Sequence, residues 1–252
     1  MYFMTAHFSV DDTIWVFEDL KKQAAKSIFE QHVLSFFYKL HKKYGITVSF
    51  YCFEEFSGIH LSEMLSQYKA EFEENSAWLR FGFHAANDYV RYDQMPPQQA
   101  GEDYARIIKE LYRIVGEQSI DHIPRIHCWS GNRMALYMMQ KSGLKGVLCA
   151  EKLMRSGYDL NALENLCLQL TGFYQDARTQ LLFLKTHMRV ENTPNPVEDI
   201  LRCRKKHIEI FTHEWALSDM EKEKIRALCK SLSNRKVQWL FSADHEESIW
   251  IK

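Results

Sequence analysis

The chain is poor in glycine and poorer still in proline, with 10 and 5 in 252 residues. That scarcity leaves no room for a long flexible linker, so a single domain spanning residues 1–252 is expected. Neither sign of charge is in excess: 32 Lys+Arg stand against 33 Asp+Glu, for a net charge of −1. Without surplus cations to displace counterions from phosphates, general nucleic-acid binding is excluded. No run approaches the roughly 18 uninterrupted apolar residues of a membrane span. Residues 1–10 lack the basic start and long apolar stretch of a signal peptide, which makes the cytoplasm the expected location. None of the six cysteines forms a C-x-x-C pair, and most sit in apolar runs. A chain this long builds its own core, so buried reduced thiols are expected rather than a disulfide framework. No G-x-G-x-x-G or G-x-x-x-x-G-K follows a strand-like run, which disfavours nucleotide cradling by a glycine-rich turn.

What the sequence does contain is an alternation of short β-like runs with longer helical patterns. The strand-like runs cover 5–10, 46–53, 78–84, 123–127, 146–150, 181–190, 207–212 and 237–241. Between them, Ile28, Phe29, Val33, Phe36, Phe37 and Leu40 repeat near the 3.6 period of a helix over 28–44. Pro96-Pro97 opens another helix through Tyr104, Ile107, Ile108, Leu111 and Ile114. Regular alternation points to parallel strands with right-handed crossovers, and seven or eight such units point to a (β/α) barrel. Barrel enzymes draw their catalytic groups from the C-terminal ends of the strands.

Polar residues gather at those ends. Asp11-Asp12 comes directly after the first strand, where Asp12 reads either as the N-cap of a following helix or as a site carboxylate. His84 ends the third strand and Asp88 follows at i+4, one face of a helical turn. Taken alone, the pair reads as a core histidine and a turn cap; joined by Asp12, it makes a mixed N/O site for a catalytic divalent ion. Arg125 and His213 also lie at or just past strand ends. Arg125 reads as a surface residue and His213 as packing on Trp215 until the four strand ends are taken together. Tyr89, Tyr92, His127 and Trp129 read either as rim residues offering aromatic faces to sugar rings or as packing under loops. His7 is either a core residue or a partner behind the site. The basic run 202–207 reads as the cationic end of a helix, with phosphate binding as the lesser alternative.

The order Asp-Asp, His, Arg, His resembles the NodB-homology polysaccharide deacetylases (carbohydrate esterase family four), metal-dependent hydrolases on a distorted (β/α)7 barrel. Ser9-Val10-Asp11-Asp12 resembles the T-F-D-D motif, and Phe83-His84-Ala85-Ala86-Asn87-Asp88 resembles H-[ST]-x-x-H. Pro124-Arg125-Ile126-His127 stands where the family has its Arg-x-Pro segment, and Thr212-His213-Glu214-Trp215 resembles L-x-L-H. The motifs span Ser9 to Trp215 in family order. The resemblance implies Asp11 as general base, Arg125 as its support and His213 as general acid. It further implies Asp12 and His84 as metal ligands, with Asp88 in the place of the second histidine.

Thr13 replaces the glycine after the Asp pair, Ala85 replaces the hydroxyl residue, and the Arg segment lacks its prolines. The aspartate at position 88 matters most. With Asp12, His84 and Asp88 as ligands, a divalent ion would be formally neutralised. Its bound water would acidify less, and harder ions would compete better with zinc. The implied cofactor is one divalent ion, zinc first, with manganese, iron, cobalt or nickel as alternatives. The implied activity is removal of an N-acetyl group from an amino sugar or a saccharide precursor of a surface polysaccharide, with Tyr92, His127 and Trp129 on the substrate. The alternatives are a hydrolase of another amide or ester, and a degenerate barrel that binds saccharide or a protein partner without turnover.

Overall fold

The computed structural model describes residues 4–150, 157–203 and 205–244. Six parallel strands form the main sheet: β1 (Thr5–Thr13), β2 (Val48–Phe53), β5 (Leu79–Ala85), β6 (Gly146–Cys149), β8 (Leu182–Arg189) and β9 (His207–His213). They run in the order β5-β2-β1-β9-β8-β6. The short β10 (Gln238–Trp239) pairs with β1, β7 (Phe173–Gln175) runs antiparallel to β8, and β3 (Glu55–Phe56) and β4 (Ile59–His60) make a hairpin.

The expected strand over 123–127 is not a strand, yet it closes the barrel. Residues 120–126 run between β5 and β6, bonded through Asp121 N to Phe81 O at 2.8 Å on one side. On the other side Lys145 N reaches His122 O and Leu148 N reaches Pro124 O, both at 2.9 Å. Pro124 lacks an N–H and interrupts the ladder, which is why the segment escapes regular pairing. Gly82 is needed at this seam, because a Cβ there would lie 2.9 Å from Asp121 O and 3.0 Å from the Tyr51 ring. With this irregular stave the molecule is a distorted (β/α)7 barrel, as expected.

Eight helices are described: α1 (Trp15–Gln23), α2 (His32–Tyr44), α3 (Lys69–Glu74), α4 (Pro97–Val115), α5 (Arg133–Gln140), α6 (Ala162–Thr171), α7 (Pro196–Arg202) and α8 (Asp219–Asn234). The predicted helix over 28–44 divides into a single 3-10 turn and α2, where Gln31 caps the new start by accepting from Val33 and Leu34 N–H. Asp12 is not a helix cap. The strand continues to Thr13, and α1 is capped from afar by Glu214, which accepts from the N–H groups of Ile14 and Trp15 at 2.9 and 3.1 Å. Among the described residues no helix is long and apolar enough to cross a membrane.

Period-2 alternation divides the strands between two environments. Ala6, Phe8 and Val10 of β1 join the large apolar core, where Phe8 meets Phe37 of α2 at a centroid distance of 5.5 Å. The intervening Thr5, His7, Ser9 and Asp11 take polar partners from β9, β2 and the 120–126 stave. One side of the barrel interior is thus polar. Tyr51, Ile123, Leu148 and Leu184 form a small separate apolar cluster.

Candidate metal centre

The register of β1 on β9 sets Asp11 beside His213 at the strand ends. Successive strand residues point to opposite faces, so Asp11 and Asp12 would ordinarily diverge. Here the β1–β2 register slips between Val10 and Thr13, and Asp12 takes a left-handed φ of 57°. Aspartate tolerates that region better than most side chains. The kink brings the Asp12 carboxylate back to the rim, where Oδ1 lies 3.0 Å from His84 Nε2.

His84 is buried and oriented from behind. Its Nδ1 donates to the Arg125 carbonyl at 2.6 Å, leaving Nε2 to face Asp12. Burial opposes the charged form of His84, but the bond to Asp12 and the charges of Asp11 and Asp12 raise its proton affinity. Burial likewise opposes ionisation of Asp12, and is outweighed by His127, His84 and His213, which hold it well below the usual carboxylate range.

The third member of the cluster is His127. Its Nδ1 lies 3.3 Å from His84 Nε2 and 3.6 Å from Asp12 Oδ1. It opens a 3-10 turn in which Cys128 and Trp129 both carry positive φ, 54° and 52°. Two non-glycine residues in that region cost roughly 1–3 kcal/mol each, strain that concentrates at functional sites. Among the described residues, Asp12, His84 and His127 are the one group of three whose ligating atoms lie within 4.8 Å of one another.

The cluster differs from the expected ligand set in two respects. Asp88 does not join the cluster, because the chain leaves β5 in a turn rather than a helical coil. The Asn87 side chain accepts from the N–H groups of Tyr89 and Val90, both at 3.1 Å, and the i, i+4 argument loses its premise. His127, expected on the substrate, stands instead with the candidate ligands. Two histidines and one aspartate suit a divalent ion, with His84 held through its other nitrogen as metal-bound imidazoles ordinarily are. The charge argument changes with it: one carboxylate would leave a bound divalent ion at a formal charge of +1 rather than zero.

Asp11 and Arg125 come together as expected. Arg125 is buried, its Nη1 donating to Asp11 Oδ1 at 2.8 Å and Ser9 Oγ at 2.9 Å, its Nη2 to Thr186 Oγ1 at 3.0 Å. Its guanidinium lies 3.9 Å from the centre of the Phe211 ring. His213 faces the cluster, with Nε2 3.8 Å from Asp12 Oδ2. Its Nδ1 is bonded to Glu191 Oε1, a partner the sequence reading missed. Burial opposes the Glu191 charge, but His213 and Arg189 keep its carboxyl below the ordinary range. Glu191 directly follows the strand-like run 181–190, so the rule that found the other site residues would have found it too.

A cleft of about 150 Å³ is lined by Asp11, His84, Arg125, His127, Trp129 and His213, among others. Trp129 therefore borders the site. Tyr92 does not: it is fully buried, and its hydroxyl accepts from Ala86 N–H at 2.9 Å, bracing the turn after β5. Tyr89 is exposed on that turn. Trp215 is also exposed, with its indole N–H donating to Asp12 Oδ2 at 2.7 Å.

No family model and no curated protein matches the sequence. Solved structures do match. The CE4 domain of a multidomain xylanase from the hindgut metagenome of Trinervitermes trinervoides aligns over 96% of this chain and 88% of its own, at 9% identity and a TM-score of 0.54. The fold is that of a family 4 carbohydrate esterase domain. A 4-alpha-glucanotransferase from Thermococcus litoralis aligns over 97% of this chain but 40% of its own, at 13% identity and a TM-score of 0.56. One barrel thus supports an esterase and a glycosyl-transferring enzyme, and the choice of chemistry falls to the site.

Proposed function

We propose that this protein is a metal-dependent deacetylase acting on an N-acetylated saccharide. The observation that carries the proposal is the Asp12, His84 and His127 cluster, flanked by the Asp11–Arg125 pair and by the His213–Glu191 pair. Asp12, His84 and His127 would hold the ion, which when bound polarises an acyl carbonyl and acidifies a water. Zinc is the first expectation on the donor set.

The chain's own groups supply the proton traffic. Arg125 engages Asp11 through Oδ1, so Oδ2 is the oxygen that accepts a proton from the attacking water. Arg125 also keeps a negative charge at Asp11 tolerable beside Asp12. On the opposite side His213 binds Glu191 through Nδ1, which leaves Nε2 turned toward Asp12 and the reacting bond. From there it protonates the departing amine; an amide nitrogen leaves poorly without that proton. Trp129 borders the cleft and offers an apolar face to a sugar ring.

A glycosyl-transfer reading fits less well. It requires a pair of carboxyl groups, one with raised proton affinity. Asp11 is fixed by Arg125, while the histidines hold Asp12 below the ordinary range. Asp12 is therefore not the protonated member of such a pair.

The test is metal analysis of the purified protein, joined to acetate release across N-acetyl amino sugars, their oligomers and acetyl esters. Stoichiometric uptake of one divalent ion and acetate release from an N-acetyl sugar are expected. Failure to take up zinc, manganese or iron rejects the proposal, and turnover of esters alone moves the activity to a different bond.

A further inference from the structure

Trp215 has no place in the mechanism above, yet it touches both halves of the site. The residue is 58% exposed, so burial does not explain where it sits. Two directional contacts hold it. The indole N–H donates to Asp12 Oδ2 at 2.7 Å, and the ring stacks on His213 with centroids 5.1 Å apart and planes inclined by 29°. Glu214, the residue before it, is buried at the start of α1, where burial pushes its carboxyl up to about 8 despite the backbone amides of Ile14, Trp15 and Val16. The backbone leading into Trp215 is therefore anchored by the buried cap at Glu214 and, one residue earlier, by the end of β9.

The two oxygens of Asp12 have divided duties. Oδ1 faces His84 and His127, the other two candidate ligands. Oδ2 is taken up by the indole N–H. A carboxylate with both oxygens free can rotate and chelate an ion through both; one whose outer oxygen is held presents a single atom in a fixed direction. We propose that Trp215 is a positioning residue: its N–H locks Asp12 to ligate through Oδ1 alone, and its ring holds the His213 imidazole in place. The inference rests on the metal-dependent reading above. It assigns to an exposed aromatic, two residues past the candidate acid, control over both the ligand geometry and the acid.

The experiment compares Trp215→Phe with the wild-type protein, using metal alone as the probe. Phenylalanine keeps a stacking ring and removes the N–H. Partners that orient metal-binding side chains change affinity about 10–100-fold when removed. Zinc affinity, measured by competition with a chromophoric chelator, is expected to fall by that factor in Trp215→Phe, with the melting temperature unchanged. The cobalt-substituted variant is expected to lose absorption intensity in the visible bands, as a second carboxylate oxygen raises the coordination number. Trp215→Ala is expected to lose the same metal affinity and, in addition, to lower kcat with KM little changed. Equal zinc affinity and an identical cobalt spectrum in Trp215→Phe overturn the inference. A wild-type protein that binds no metal overturns the proposed function itself, which is a separate result.

Discussion

Strands β1 and β9 carry two clusters of histidines and carboxylates, only a few residues apart, and the clusters differ in what surrounds them. In the lower one, His7 Nδ1 meets Glu209 Oε2 at 2.9 Å, and His207 Nε2 meets Glu209 Oε1 at 2.6 Å. Thr5 bonds His207 at 2.9 Å, and Ser49 joins His7 at 2.9 Å to Asp121 at 2.5 Å. All of these side chains are buried, and their polar atoms are spent on one another. In the upper cluster Asp12, His127 and His213 are only partly buried, and nitrogens and oxygens converge on a cleft. The residue types are the same. A closed circuit of hydrogen bonds makes a structural element, and an open convergence makes a candidate site.

Substitutions should separate the two. Asp12→Ala is expected to abolish metal uptake and reduce acetate release about 10³-fold or more, with a smaller loss of stability than the buried cluster gives. Glu209→Ala is expected to do the reverse. It leaves His7 and His207 without their shared carboxylate in a buried setting, a loss of roughly 3–5 kcal/mol. For a chain of this size that lowers the melting temperature by about 10 °C, while the protein that remains folded still binds metal. Thermal unfolding and metal analysis on both variants decide the matter. A collapse of stability in Asp12→Ala, or loss of metal in folded Glu209→Ala, would erase the distinction.

Acid should weaken the lower cluster. Burial opposes the Glu209 charge, but His7 and His207 hold its carboxyl well below the ordinary range. A carboxyl with a depressed folded-state value contributes its stability above the ordinary carboxylate range, and that stability is lost as pH falls through the folded value. Denaturant midpoints of the wild-type protein should therefore decline below about pH 4–5, with a shallower decline in Glu209→Gln. Parallel acid limbs in the two proteins would place the acid-sensitive group elsewhere.

A smaller effect is expected within the upper cluster from Glu191→Gln. It leaves the candidate ligands intact and weakens the hold on His213 Nδ1, along with the bonds Glu191 accepts from Arg189 Nε and Thr212 Oγ1. Metal content should stay at the wild-type level, and kcat should fall by about 10–100-fold, inside the range that general acid catalysis contributes. Loss of metal on this change would place Glu191 with the ligands rather than behind the acid.

The contrast also explains how much was readable in advance. The alternation of strands and helices conveyed the barrel, and strand-end placement brought out Asp11, Asp12, His84, Arg125 and His213. It works because the parallel strands share one direction and their ends share one rim. What escaped depends on backbone irregularity. His127 reaches His84 through left-handed turns at Cys128 and Trp129, neither of which is the glycine that would have announced them. Asp12 turns inward through a kink at its own φ. The polar circuit of His7 and Glu209 was hidden because each residue alone reads as an isolated core substitution, and pairing them requires the β1–β9 register. Asn87, by contrast, was a visible signal overlooked: asparagine favours turns that accept from the backbone two and three residues on.

That oversight yields the smallest predicted effect and the sharpest check on the ligand set. Asp88 lies half-buried on the turn that Asn87 organises, apart from the cluster. Asp88→Ala should change zinc affinity by no more than about twofold, the scale of a surface substitution of roughly 0.5 kcal/mol. His127→Ala should reduce zinc affinity at least as much as losing an orienting partner does, about 10–100-fold. The two variants differ in which group they remove, and both positions had been candidates. If Asp88→Ala loses the metal and His127→Ala retains it, the ion is held by two aspartates and one histidine. The formal charge of the bound ion then returns to zero, and the expected preference moves from zinc toward harder ions. A competition between zinc and manganese on the same two variants reads that preference directly.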